Sequence, residues 1–253
     1  MKCKILVSDP LAEAGVDVLR EQCTVTVKTG LTEAQLVREI GKYNGLIVRS
    51  GTRVTKKLIK AAKNLKIIAR AGVGVDNIDI DAATAAGIVV INSPRGNTLS
   101  AAEHALSLMM SMARNIPAAD RSLREGRWDR KAFVGTEMFH KTLGLLGLGK
   151  VGSVVAERAI AMGMKIVYFQ RTRLPPDVER RFGARYAALD ELLETSDCVS
   201  LHLPRSPQTA GFIGARELAL IKPGALLINV SQPNLVDREA LRNALACGRL
   251  GGF

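Results

Sequence analysis

The chain has 253 residues, 47% of them hydrophobic, enough for one large domain or two ordinary ones, which argues against wholesale disorder. No run approaches the ~18 apolar residues of a membrane span, and the opening MKCKILVSDP lacks the apolar length and cleavage site of a signal peptide, so a cytoplasmic protein is expected. The net charge of +12 suits a phosphate-rich small ligand, whereas no zinc-finger, RNP or basic-zipper pattern points to nucleic acid.

From the N-terminus, the runs 3–7, 24–27, 45–49, 65–69 and 88–91 are short and continuously apolar. That pattern predicts strands covered on both faces, as in a parallel sheet. Between them, Thr32 and Gln35 predict a capping-box helix start. The Gly/Pro-rich stretch 92–97 (NSPRGN) reads as a boundary, so a first domain over 1–97 and a second over 98–253 are expected. Ser100 and Glu103 predict a second capping box, opening a helix that runs to Ala113. The mixed-charge stretch 121–131 reads as solvated surface. Strands are then predicted at 142–146, 165–169, 198–203 and 225–230. Helix 150–162 sets Val151, Val154, Val155, Ala159 and Met162 on one stripe, with Gly163 as its stop, and helix 237–246 ends before Gly248. The alternation predicts an α/β fold with right-handed crossovers. The cysteines, Cys3, Cys23, Cys198 and Cys247, are scattered and read as reduced structural thiols, and no metal-ligand spacing is present.

The sharpest motif is the glycine turn Gly147-Leu148-Gly149-Lys150-Val151-Gly152, between a predicted strand and a predicted helix. Gly147 permits the tight turn, Gly149 lets backbone approach a pyrophosphate, and Gly152 lets helix and sheet pack closely. The helix N-terminus then offers unpaired N–H groups to phosphate. At the tip of the following strand, Gln170 stands where a dinucleotide site selective for NAD carries a carboxylate. Arg171, Thr172 and Arg173 follow it. Nothing negative repels a 2′-phosphate there, and Arg171 and Arg173 are expected to grip one. NADP(H) is therefore the preferred cofactor, with NAD(H) also accommodated; the competing view is that these arginines are plain surface residues.

Segments 65–79 (LKIIARAGVGVDNID), 87–93 (GIVVINS), 96–104 (GNTLSAAEH), 141–152 (KTLGLLGLGKVG) and 202–204 (HLP) resemble the D-isomer-specific 2-hydroxyacid dehydrogenases, most closely the phosphoglycerate dehydrogenases. The resemblance covers nearly the whole chain. It implies two Rossmann-like domains with parallel sheets, flavodoxin-like and dinucleotide-binding, around a cleft, and an NAD(P)-dependent oxidoreductase acting on a small 2-hydroxy acid of the 3-phosphoglycerate, hydroxypyruvate or glyoxylate class. The first domain would bind substrate through Arg49, Ser50, Gly72, Val73 and Asn97. Lys150 and Val151 would touch the pyrophosphate, and Leu203, Pro204, Val230 and Ser231 would line the cofactor cleft. A homodimer is implied, formed through the segment after the helix that opens the second domain.

Two departures from the pattern go with this. Gln232 stands at the family's substrate-binding arginine, and Pro233 stiffens a loop where the family has glycine. The family's catalytic Glu and His lie beyond Phe253, as does the segment returning to the first domain. The resemblance therefore implies an incomplete second sheet, poorly covered apolar faces in the first domain, and impaired turnover. The alternative is a non-catalytic nucleotide-binding protein or a fragment of a longer dehydrogenase. His104, His140 and His202 are expected to serve packing or surface roles.

Overall fold

The computed structural model describes residues 2–204 and 206–253. It divides into two compact units, one ending at Asn97 and the other beginning at Thr98.

The first unit holds five parallel strands, β1 (Lys4–Val7), β2 (Thr24–Val27), β3 (Gly45–Val48), β4 (Ile67–Arg70) and β5 (Val89–Asn92), in the order β2-β1-β3-β4-β5. Four helices connect them: α1 (Glu13–Gln22), α2 (Glu33–Ile40), α3 (Lys56–Ala61) and α4 (Ile80–Ala85). This is the flavodoxin-like order of a doubly wound sheet. The first crossover runs opposite to the other three, so right-handedness puts α1 on one face and α2–α4 on the other. On the three-helix side, Leu36, Ile40, Leu58, Ile68 and Ala83 form a dry core. On the α1 side cover is thinner: Val89 is 57% and Ile91 48% exposed, and Leu19, Ile47, Ala69 and Ile91 border a cavity of about 550 Å³. α2 begins as expected, with Thr32 and Gln35 bonding each other's backbone N–H.

The second unit holds β6 (Thr142–Leu146), β7 (Lys165–Phe169), β8 (Ala184–Tyr186), β9 (Cys198–Leu201), β10 (Ala225–Asn229) and β11 (Leu250–Gly252). Its helices are α5 (Thr98–Ala113), α6 (Ile116–Arg124), α7 (Lys150–Ala161), α8 (Pro176–Arg181), α9 (Leu189–Thr195), α10 (Ala215–Leu220) and α11 (Arg238–Ala246). The all-parallel sheet runs β11-β10-β9-β6-β7-β8. Those six strands complete the doubly wound order of a dinucleotide-binding sheet. The expected incompleteness shrinks to β11, three residues long, whose outer edge has no strand partner among the described residues.

α5 and α7 pack on one face of this sheet around Ala105, Met109, Val155 and Ala159. Leu192, Leu218 and Leu235 fill the other. The stripe expected on α7 shifts slightly: Gly152, Val155, Ala156 and Ala159 are buried, whereas Val151, Val154 and Met162 are half-buried. α5 starts at Thr98, so Ser100 is inside the helix rather than its cap. β8 escaped the sequence pattern because its three residues, Ala-Arg-Tyr, carry no apolar run.

Candidate functional site: the glycine turn and the sheet tips

In the second unit the turn 147–152 leaves the end of β6, where the strand order reverses and α/β ligand sites form. Its glycines are required for different reasons. Gly147 has φ +99°, a left-handed conformation, and a Cβ on it would lie 2.8 Å from the His202 carbonyl oxygen. A Cβ on Gly152 would run into the carbonyl oxygen of Gly147. A Cβ on Gly149 would meet nothing within 4 Å, so open space lies in front of that backbone. Gly149 is also the N-cap of α7 and, having no side chain, makes no side-chain cap bond at the start of this twelve-residue helix. Bare peptide, open space and a positive helix end suit a diphosphate. Lys150 is exposed at the first helical position and Val151 is half-buried beside it.

The tip of β7 differs from expectation. The Leu148 N–H donates to Gln170 Oε1 at 3.1 Å, and Gln170 Nε2 donates to the Thr172 carbonyl at 2.8 Å. Gln170 thus ties the glycine turn to the loop after β7 instead of merely leaving room for a phosphate. Arg173 already has a carboxylate partner. Its Nε and Nη2 each donate to the Glu179 carboxylate at 2.9 Å, and the Tyr168 hydroxyl donates to the same group at 2.7 Å. Arg173, then Tyr168, hold the Glu179 carboxyl down to about 2. The Tyr168 oxygen in turn accepts from the Leu174 N–H. Arg171 is exposed, with no side-chain partner among the described residues. The sequence hid this because Arg173 and Glu179 are six positions apart, across a bend between β7 and α8.

His202 follows β9 behind the glycine turn. Its Nε2 lies 3.0 Å from Ser200 Oγ, and its buried Nδ1 has no hydrogen-bond partner among the described residues. Burial pulls the imidazole down to about 4, so it is neutral at pH 7. Leu203 is half-buried and Pro204 exposed just beyond.

After β10, Asn229 organises the loop: its side chain accepts from the Ser231 N–H at 3.0 Å and donates to the Gln232 carbonyl at 2.8 Å. Ser231 Oγ donates to the Leu201 carbonyl. Val230 packs against the core, and Pro233 opens a short 3₁₀ turn. Gln232 lines a cavity of about 390 Å³ with His104, Asn229, Ser231, Arg238 and Phe253. His104, expected to be a surface or packing residue, shares this cavity with Gln232. Only the packing of α5 beside β10 brings them together.

The first unit builds its own sheet tip. Asp9, 7% exposed, accepts from the N–H groups of Arg49 (2.5 Å) and Thr52 (3.0 Å) and from the Thr52 hydroxyl (2.9 Å). Asn77 Nδ2 donates to the Arg49 and Thr52 carbonyls at 2.7 and 2.6 Å. Arg49 and Ser50 are thereby held at the end of β3 with their side chains exposed. At the end of β4, a Cβ on Gly72 would strike the Arg70 guanidinium. Val73, at 38% exposure, has its carbonyl fixed by Asn92 Nδ2 at 2.6 Å, and Asn97 is exposed. The sequence did not single out Asp9, Thr52 or Asn77; a short polar run just after an apolar strand was the available signal.

Among the described residues no group of three or more His, Cys, Asp or Glu is placed to hold a metal ion, and no helix is long and apolar enough to cross a membrane.

A doubly wound parallel sheet with a glycine turn at its switch point defines a Rossmann-type dinucleotide-binding protein. Residues 106–253 match the family model described as "D-isomer specific 2-hydroxyacid dehydrogenase, NAD binding domain". The D-3-phosphoglycerate dehydrogenase of Synechocystis is 48% identical over 98% of this chain and 45% of its own length. A solved protein from Thermus thermophilus is 36% identical with TM-score 0.90, covering 98% of this chain and 79% of its own. A glyoxylate reductase from Paecilomyes thermophila is 34% identical with TM-score 0.87, covering 99% and 81%. The chain belongs to the D-isomer specific 2-hydroxyacid dehydrogenase family, with a nicotinamide dinucleotide as its cofactor class. It spans about half the length of the curated relatives it matches.

Proposed function

We propose that this chain binds NADP(H) in preference to NAD(H) and belongs to a cytoplasmic oxidoreductase acting on the CH–OH group of a small 2-hydroxy acid such as 3-phosphoglycerate, or on hydroxypyruvate or glyoxylate in reverse. The observation that carries it is the open backbone at Gly149 beside a strand tip bearing Gln170 and an Arg171 with no side-chain partner among the described residues. The bound nicotinamide supplies the hydride chemistry. The first-turn N–H groups of α7 bind the diphosphate, with Lys150 and Val151 beside it. Gln170 keeps the turn in shape, and Arg171 meets the 2′-phosphate. Thr172, Leu203, Pro204, Val230 and Ser231 bound the nucleotide. A charge-assisted bond from Arg171 is worth ~1.5–3 kcal/mol, or about tenfold or more in affinity.

In the first unit, the substrate-binding part, Arg49 and Ser50 would bind the acid's charged groups, with Gly72, Val73 and Asn97 nearby. Gln232 supplies a hydrogen bond where a full charge is expected. Loss of one such group costs ~3–4 kcal/mol of transition-state stabilisation, so turnover is impaired by about a hundredfold or more. The uncharged Gln232 also favours a second reading, a nucleotide-binding protein without catalysis. The exposed Leu123, Trp128, Val134 and Phe139 support a homodimer through the segment 115–140; sedimentation giving one-chain mass at micromolar concentration would overturn it.

The test is a fluorescence titration of the purified chain with NADPH and NADH, followed by absorbance assays with each 2-keto acid. NADPH binding at least tenfold tighter than NADH supports the cofactor assignment, and equal affinity removes it. Binding without turnover selects the non-catalytic reading, and binding of neither nucleotide overturns both.

A further inference from the structure

We infer that Cys3 and Cys23 form a reversible disulfide that fastens the edge strand of the first sheet, a modification site independent of the nucleotide reading. The two residues stand twenty positions apart, and the topology sets them side by side. Cys3 directly precedes β1, and Cys23, at the C-cap of α1, directly precedes β2. These strands pair in parallel with Lys4 opposite Thr24, and the Thr24 N–H donates to the Cys3 carbonyl at 2.8 Å. The register therefore sets Cys3 opposite Cys23. Opposed residues of a parallel pair share a phase of the pleat, so both side chains leave the same face. Adjacent strands lie ~4.8 Å apart, inside the ~4.4–6.8 Å Cα span of disulfides.

Burial first, and then the neighbouring Cys23, push the Cys3 thiol up. Cys3 is exposed and Cys23 half-buried, so a small reagent reaches the pair. The other two cysteines lack this arrangement. Cys198 is buried and pushed up to about 12, mainly by desolvation, which makes it inert at neutral pH. Cys247 is exposed and spends its thiol on the Ala244 carbonyl.

A bond between directly opposed parallel strands is constrained by the ladder on both sides. Constrained, exposed disulfides are the easily reduced ones, so this link suits a reversible role rather than a permanent staple. The oxidant is a small-molecule disulfide such as oxidised glutathione. One cysteine thiolate attacks it, forming a mixed disulfide and releasing one glutathione thiol. The second cysteine, losing its proton, then displaces the other glutathione. Two protein thiols are oxidised and one disulfide is reduced to two thiols. The product ties edge strand β2 to β1.

The test uses the whole chain, incubated with oxidised glutathione at mildly alkaline pH and analysed without reduction. The Cys247→Ser chain is used for the count, because that exposed thiol takes up a glutathione of its own; the expected result is a fall from three titratable thiols to one in denaturant, an intact mass lower by two hydrogens, and a Cys3–Cys23 peptide pair. Dithiothreitol restores all three. In that background Cys3→Ser and Cys23→Ser each abolish the cross-link and leave a single glutathione adduct on the surviving partner, and the unsubstituted chain gives the same pair with one further glutathione on Cys247. The inference is overturned if glutathione stays on both Cys3 and Cys23 without a link, if neither reacts, or if the link joins either of them to Cys247.

Discussion

At the tip of the first sheet a charged side chain does the holding, and at the tip of the second the absence of side chains does. The Asp9 carboxylate is buried and accepts three hydrogen bonds from the Arg49–Thr52 loop, which presents Arg49 and Ser50 outward. The turn 147–152 instead folds tightly because Gly147 and Gly152 leave no room for a Cβ, and it turns bare peptide outward at Gly149. The first design displays side chains and depends on one desolvated polar group; the second displays N–H groups and is vulnerable to any added carbon. A loop that offers side chains suits a carboxylate or phosphate of a variable small molecule, and a bare turn suits one fixed diphosphate.

The largest effect is expected at the first tip. Asp9→Ala leaves two backbone N–H groups and a hydroxyl without their acceptor and should cost about 4 kcal/mol, read by denaturant unfolding. A loss under about 1 kcal/mol would show that the loop does not depend on that carboxylate. At the second tip, Gly152→Val collides with the Gly147 carbonyl and should cost about 3 kcal/mol. Gly149→Ala meets no atom and should leave stability unchanged, yet weaken NADPH and NADH alike by about tenfold. If Gly149→Ala bound both nucleotides normally, bare peptide at Gly149 would not be what holds the diphosphate.

Acid should probe what lies behind the turn. His202 sits near 4 in the folded chain against 6.5 ordinarily, so the unfolded state takes up more protons between those values. Stability is therefore lost as pH falls from 6.5 toward 4, by on the order of 3 kcal/mol, and His202→Gln should flatten that limb of the curve. The Glu179 carboxyl is shifted the same way, from 4.5 to about 2, so its contribution is present above 4.5 and lost as pH falls toward 2.

Smaller effects concern nucleotide choice. Arg171→Ala should weaken NADPH about tenfold and leave NADH unchanged. Glu179→Gln should weaken the hold on Arg173 beside the same strand tip and tighten NADPH about threefold, without changing NADH. No change in the NADPH-to-NADH ratio for either variant would remove arginine control of the 2′-phosphate.

Local pattern carried much of the architecture. Continuous apolar runs such as 142–146 and 165–169 marked buried parallel strands, the glycine spacing marked the turn, and Thr32 with Gln35 marked a helix start. Each of these depends on neighbours within a few residues, so sequence alone determines it. β8 was not legible, because a three-residue edge strand is fixed by pairing with β7 rather than by its own side chains.

The assignment of charges was left to the tertiary structure. Arg171 and Arg173 look equivalent in sequence, yet Arg173 is committed to Glu179 and Arg171 has no such partner among the described residues. Cys3 and Cys23 look unrelated until parallel pairing sets them opposite each other. Likewise His104 joins Gln232 at one cavity only through packing across the sheet. Strand and turn formation are local, governed by backbone sterics and apolar periodicity. What a polar group is free to bind depends on which distant group has already claimed it, and that is decided only when the chain is folded.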